Sequence, residues 1–99
     1  MVIVSGTATL RPEGVNEVIA LARSLEKVTR MEPGCISYRF FQSLEDSTRF
    51  LVFEEWESED TLQAHFAQEH TQAFFTAITP LLASEPIITR YEVSFHAPL

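Results

Sequence analysis

A single cysteine, Cys35, stands in a chain of 99 residues. No internal disulfide can form, and one thiol cannot supply a multi-cysteine zinc site. Basic residues are scarce as well: seven Lys and Arg against fourteen Asp and Glu, a formal charge of -7. They are scattered singly, so no patch exists to neutralise phosphates, which argues against nucleic acid and against anionic membranes as partners. No run approaches the ~20 apolar residues that a bilayer-spanning helix needs. Met1 to Leu10 lacks the basic start and continuous apolar stretch of a secretory leader. A reducing, cytoplasmic setting is the expectation. Glycine is sparse too, with three in the chain, and there is no G-x-S-x-G elbow, phosphate loop or dinucleotide fingerprint. Linkers and low-complexity segments are also missing, so residues 1–99 are expected to form one domain.

What the chain has is apolar bulk. It is 45% hydrophobic and contains eight phenylalanines, enough to fill a core, line an apolar pocket or cover a subunit interface. The acids gather at Glu54, Glu55, Glu57, Glu59 and Asp60. That cluster reads as a solvated strand end running into a helix N-terminus, where negative charge is favoured. Its spacing is not that of an EF-hand loop.

Periodicity gives the element order. Val2 to Leu10 alternates, as a strand does, and Arg11-Pro12-Glu13-Gly14 breaks it. Val15, Val18, Ile19, Ala22, Leu25 and Val28 recur at steps of three and four, which predicts an amphipathic helix. "MEPG" ends it, because Pro33 disfavours helix at Glu32 and Gly34 can adopt a left-handed turn. "CISYRFFQS" and "TRFLVFEEW" are the second and third strands, joined by a polar loop at Leu44 to Ser47. Ser58 occupies an N-cap position before a helix carrying Leu62, His65 and Phe66 on one side. The pattern falters at Glu69-His70, so a bend is expected near residues 69 to 71 and another near Pro80. "IITRYEVSF" is the fourth strand.

The order β-α-β-β-α-β is that of a ferredoxin-like α+β fold, a four-stranded antiparallel sheet with its helices on one face. Both faces of the second and third strands are apolar. Phe50, Val52 and Trp56 point one way, Leu51 and Phe53 the other; Ile36, Tyr38 and Phe40 oppose Cys35 and Phe41. Helices on one face cannot cover both, so the second face calls for another sheet of the same kind. A homodimer through the sheet face follows.

"EPGCISY", "FLVFEEW" running into "ES", "TLQAHFAQEH" and "AFF" together resemble the antibiotic-biosynthesis-monooxygenase family, and within it the small quinol-monooxygenase branch. The resemblance spans Val2 to about Tyr91. It implies a dimeric α+β barrel, in which two ferredoxin-like sheets pack face to face, with a pocket between sheet and helices in each subunit. It also implies oxygenase chemistry on quinols or polycyclic aromatics without metal, flavin or haem. Some relatives degrade haem, others isomerise small phosphorylated metabolites, and many have no established activity.

Several residues could serve such a pocket. His65 matches the histidine that follows the tryptophan and serine in the family pattern; a neutral imidazole there could take a phenolic proton, or it could be a satisfied core histidine. Trp56 could stack on a substrate, or simply anchor the third strand against the second helix. Glu54, between Val52 and Trp56, could be a buried partner for an arginine or a base with a raised pKa. Arg90 could stabilise a phenolate, although a surface arginine is the ordinary reading, as for Arg39. Tyr38 and Tyr91 could hydrogen-bond a ligand, although core packing is the ordinary reading, and Phe66 and Phe74 could wall the pocket. Cys35 reads as a small core residue rather than a nucleophile. His70, five residues after His65, lacks the i, i+4 spacing of a helical metal pair, and adding Glu69 gives too few ligands for zinc, so no metal is expected. His96, near the tail, is expected in solvent.

The sequence therefore points to a cofactor-independent monooxygenase that brings together a small quinol- or anthrone-like aromatic and dioxygen. The main alternative is a non-catalytic ligand-binding or stress-related dimer, since the fold needs the same core either way. Haem degradation fits poorly: the only asparagine is Asn16, outside the first strand, and Phe75 stands where the relatives' second-helix histidine would be wanted. Isomerisation of a small metabolite would favour a polar pocket over a Phe-rich one.

Overall fold

A computed structural model describes residues 1–99. The strands are β1 (Val2–Thr9), β2 (Cys35–Gln42), β3 (Arg49–Trp56) and β4 (Ile87–Glu92), and the helices are α1 (Val15–Thr29), α2 (Glu59–Phe66) and α3 (Glu69–Ile78). Short 3-10 turns at Pro12–Gly14 and Thr79–Leu81 lead into α1 and out of α3. The sheet order is β2-β3-β1-β4, all neighbours antiparallel. This is the ferredoxin-like arrangement expected from the element order.

Register decides which side chains meet the helices. Val4 pairs with Glu54 on one side and Arg90 on the other, while Gly6 pairs with Val52 and Ile88. Directly opposed residues share a face, so Val2, Val4, Val52, Glu54 and Trp56 all look toward the helices. From α1, Val18, Ala22, Leu25 and Thr29 are buried against them. Thr29 takes the last inward position, and Val28, expected there, is 40% exposed. Glu26 accepts the Phe40 backbone N–H at 2.7 Å and Arg30 Nε donates to the Tyr38 carbonyl at 3.1 Å. These two bonds satisfy part of the open edge of β2.

Two local details depart from the sequence expectation. The β2–β3 register shifts between Cys35 and Ser37, where Cys35 opposes Trp56 and Ser37 opposes Glu55. Ile36 is the extra residue of this bulge and is 51% exposed, whereas Cys35 packs against the core. The bulge thus exchanges the sides assigned to these two residues. The second helix also breaks earlier than its apolar pattern suggests, at Ala67 and Gln68, and α3 restarts at Glu69.

The opposite face of the sheet carries Ile3, Leu51, Phe53, Phe41, Ile87 and Tyr91 by the same register. Phe41, Ile87 and Tyr91 are 49%, 68% and 49% exposed. The two-sided apolar character read from the strands is therefore present in the fold, with the helices covering one side only.

Candidate functional site

The site begins at Glu54. It sits on the interior strand β3, its side chain turned under the helices, and is 4% exposed. A carboxylate in that position loses its hydration, and its pKa rises from the ordinary 4.5 to about 7. Burial is the main cause, the negative charge of Glu32 adds to it, and a hydrogen bond from Trp56 works against it. That bond runs from the indole Nε1–H to Glu54 Oε1 at 3.0 Å.

His65 comes from the last turn of α2. Ser58 caps this helix: its hydroxyl accepts the Thr61 N–H while Thr61 Oγ1 accepts the Ser58 N–H. Such a capping box fixes where the helix starts, and hence which residues face inward. Leu62 and His65 are both buried, His65 to 1% exposure. The imidazole packs on Trp56 with ring centroids 4.8 Å apart and on Tyr38 at 5.3 Å. Its Nε2 lies 4.0 Å from Glu54 Oε1. Burial pushes its pKa below the ordinary histidine value, against the pull of Glu32.

Glu32 is the partner that sequence spacing did not show. It lies in the turn after α1, its side chain only 8% exposed, and Oε2 is 3.0 Å from His65 Nδ1. The same oxygen is 2.6 Å from His70 Nε2. His70 reaches it because α2 stops and α3 begins anew between the two histidines, so the i, i+5 spacing along one helix does not set their separation. Thr71 Oγ1, also buried, is 3.3 Å from His65 Nδ1. Ligand atoms of Glu32, His65 and His70 all lie within 4.8 Å of one another, but the two shortest separations are those of direct hydrogen bonds. The turn itself is held by Gly34, at φ 84, where any Cβ would overlap the side chain of Thr61 on α2. The backbone of "EPGC" can therefore lie against α2, one helical turn before His65.

In front of His65 and Glu54 is a mostly apolar, partly open cavity of about 70 Å³. Tyr38, Glu54, His65, Phe66 and Phe74 all contribute to its wall, with Phe40, Phe75 and Val52. Trp56 is fully buried behind this wall and does not line it. It supports His65 and Glu54 rather than offering a face to a ligand. Arg90 is on the helix side of the sheet, but at the edge strand, where it pairs with Glu59 at the start of α2 and is half exposed. Arg90, expected as a phenolate partner, does not line the cavity in this arrangement; its guanidinium is paired with Glu59. Burial also raises the Tyr38 hydroxyl pKa well above its ordinary value, and Cys35 rises to about 11 for the same first reason, with Glu32 and Glu54 adding to it. Neither group ionises near neutrality. Arg39, Tyr91 and His96 are exposed. A larger open groove of about 400 Å³ at the far end of the sheet, near Arg49 and Glu85, contains no buried titratable group.

The result is a small α+β protein whose helix-covered antiparallel sheet holds an apolar cavity bearing one imidazole and one carboxylate. The family model described as "Antibiotic biosynthesis monooxygenase" matches residues 1–77, and the chain belongs to that family. An uncharacterized Synechocystis protein, sll1783, is 32% identical over 93 residues, covering 94% of this chain, which spans 63% of that relative. The Bacillus subtilis protein named "Putative monooxygenase YcnE" is 27% identical over 94 residues, covering 95% of this chain and 99% of its own. A crystal structure titled as an antibiotic biosynthesis monooxygenase superposes with a TM-score of 0.89 at 28% identity, covering 94% of this chain and 98% of its own.

Proposed function

We propose that this chain is a cofactor-independent monooxygenase of electron-rich aromatic hydroxyl compounds, quinols or anthrone-like polycycles, working with dioxygen as a homodimer. Family membership and the name of the Bacillus relative support a monooxygenase-type function. The observation that carries the finer reading is His65 itself: a deeply buried imidazole on the wall of an apolar cavity, with Nε2 turned toward the protonatable Glu54.

The chemistry asks for a base and a dry box. His65 Nε2 accepts a phenolic proton, and the resulting electron-rich anion can transfer an electron to dioxygen. All four electrons come from the substrate: a naphthohydroquinone plus dioxygen has the atoms of a hydroxynaphthoquinone plus water. One oxygen atom enters the product and the other leaves as water, with the proton held on His65 returned to the departing oxygen. The phenylalanine walls exclude water, which strengthens every electrostatic contact inside. A 70 Å³ cavity is about half the ~150 Å³ that accommodates a benzene ring in a dry protein interior. Binding of a bicyclic ring therefore includes outward movement of the wall, where Phe66 and Phe75 are only partly buried.

The homodimer rests on the apolar outer face of the sheet around Leu51 and Phe53. The test is oxygen consumption with menadiol-like quinols, corrected for autoxidation, with isotopic dioxygen to follow the inserted atom. One labelled oxygen in the product supports the reading. Tight quinol binding with no rate above autoxidation would replace it with a ligand-binding dimer.

A further inference from the structure

Behind the cavity wall, His65, Glu32, His70 and Thr71 form a polar cluster that the apolar cavity does not require. We propose that Glu32 is a positioning residue that holds His65 as its Nδ1–H tautomer, so that the Nε2 lone pair faces Glu54 and the cavity, and that His70 locks Glu32 in this role. The catalytic meaning of this arrangement rests on the oxygenase reading above; the arrangement itself does not.

The geometry decides between the tautomers. A carboxylate is an acceptor only, so a ring nitrogen at hydrogen-bond distance from it must carry the proton. His65 Nδ1 is 3.0 Å and 3.3 Å from the two oxygens of Glu32, and His70 Nε2 is 2.6 Å from one of them. Both imidazoles donate to the one acid. The opposite tautomer would place an Nε2–H toward Glu54 at 4.0 Å, beyond hydrogen-bond range. It would also leave Nδ1 facing the Glu32 carboxylate lone pairs, with only the Thr71 hydroxyl to donate at 3.3 Å. A metal reading of the cluster meets a distance problem: nitrogen and oxygen ligands around tetrahedral zinc stand roughly 3.3 Å apart or more, whereas two of these separations are 2.6 and 3.0 Å.

The surroundings agree. The titratable and charged groups near His65 are Glu32 from the turn after α1, Cys35 and Tyr38 from β2, Glu54 from β3 and His70 from α3, with Arg30 bonded to the Tyr38 carbonyl. Burial lowers the His65 pKa, so the ring is neutral at neutral pH and its tautomer matters. The logic is that of an acid orienting an imidazole in a catalytic triad, with a second imidazole bracing the acid.

The experiment reads the tautomer directly. Protein with 15N-labelled histidine is studied by NMR at pH 7.5, correlating ring nitrogens with carbon-bound ring protons. A protonated, pyrrole-type Nδ1 and a pyridine-type Nε2 on His65 are expected. In Glu32→Ala this preference is lost, and where the variant folds its kcat for quinol oxidation falls about 10-fold or more with KM little changed; Glu32→Asp recovers part of it. An Nε2–H tautomer in the wild-type protein overturns the proposal, as does stoichiometric zinc held by Glu32, His65 and His70. The wild-type spectrum decides even if Glu32→Ala fails to fold. An Nδ1–H tautomer in a protein that does not oxidise quinols upholds the positioning role and removes the oxygenase reading alone.

Discussion

Trp56 donates its indole N–H to the carboxylate of Glu54, two residues earlier on the same face of β3, and both side chains are buried. The tryptophan thus gives a buried acid one of the few partners available to it. The bond only partly offsets desolvation, which leaves Glu54 with a pKa of about 7 against 4.5 when unfolded. For an acid with a raised folded-state pKa, stability is fully present below pH 4.5 and is lost as pH rises to about 7.

Glu54→Gln keeps the acceptor for Trp56 and removes the charge. The variant is expected to gain roughly 1–3 kcal/mol over wild type at pH 8 and little at pH 4.5, since one pKa unit corresponds to about 1.4 kcal/mol. Urea denaturation at the two pH values measures it. An equal effect at both would contradict the raised pKa.

Gly34→Ala tests the brace between the "EPGC" turn and α2. The new Cβ would require a left-handed backbone and would overlap Thr61. A loss of about 2–4 kcal/mol is expected, from strain plus displaced packing. Thermal unfolding reads the loss, and the His65 ring signals should shift with it, since the same turn carries Glu32.

The outer sheet face is tested by Phe53→Glu. Light scattering at micromolar concentration should show a dimer for the wild-type chain and a monomer for the variant, because a buried unpaired charge is costly at an apolar interface. A wild-type monomer would contradict the homodimer.

Much of this was legible in local sequence. Alternation gave the strands, Ser58 marked the start of α2, and the two-sided strands exposed an uncovered face. His65, Glu54, Tyr38, Phe66 and Phe74 all reach the cavity because strand and helix periodicity fixes side-chain direction. The misses were of another kind. Glu32 is 33 residues from His65, and nothing local announces a contact closed by the fold. A bend was expected near residues 69 to 71, but the break falls at Ala67 and Gln68, where no proline or glycine marks it, and this brings His70 back to the carboxylate beside His65. Arg90 had the right face, but periodicity does not say that an edge residue will meet Glu59 first. The bulge at Ile36 likewise has no glycine to mark it.

The most direct measurement is oxygen uptake with a naphthoquinol by wild-type protein and His65→Ala, both shown to be folded by circular dichroism. Turnover well above autoxidation is expected for the wild type, falling roughly 10²-fold or more in the variant, the usual contribution of a general base. The depressed His65 pKa should keep the wild-type rate from falling until the pH is below about 6.5, the ordinary histidine value. Equal rates per folded molecule in the two proteins, or no wild-type rate above autoxidation, would contradict the account.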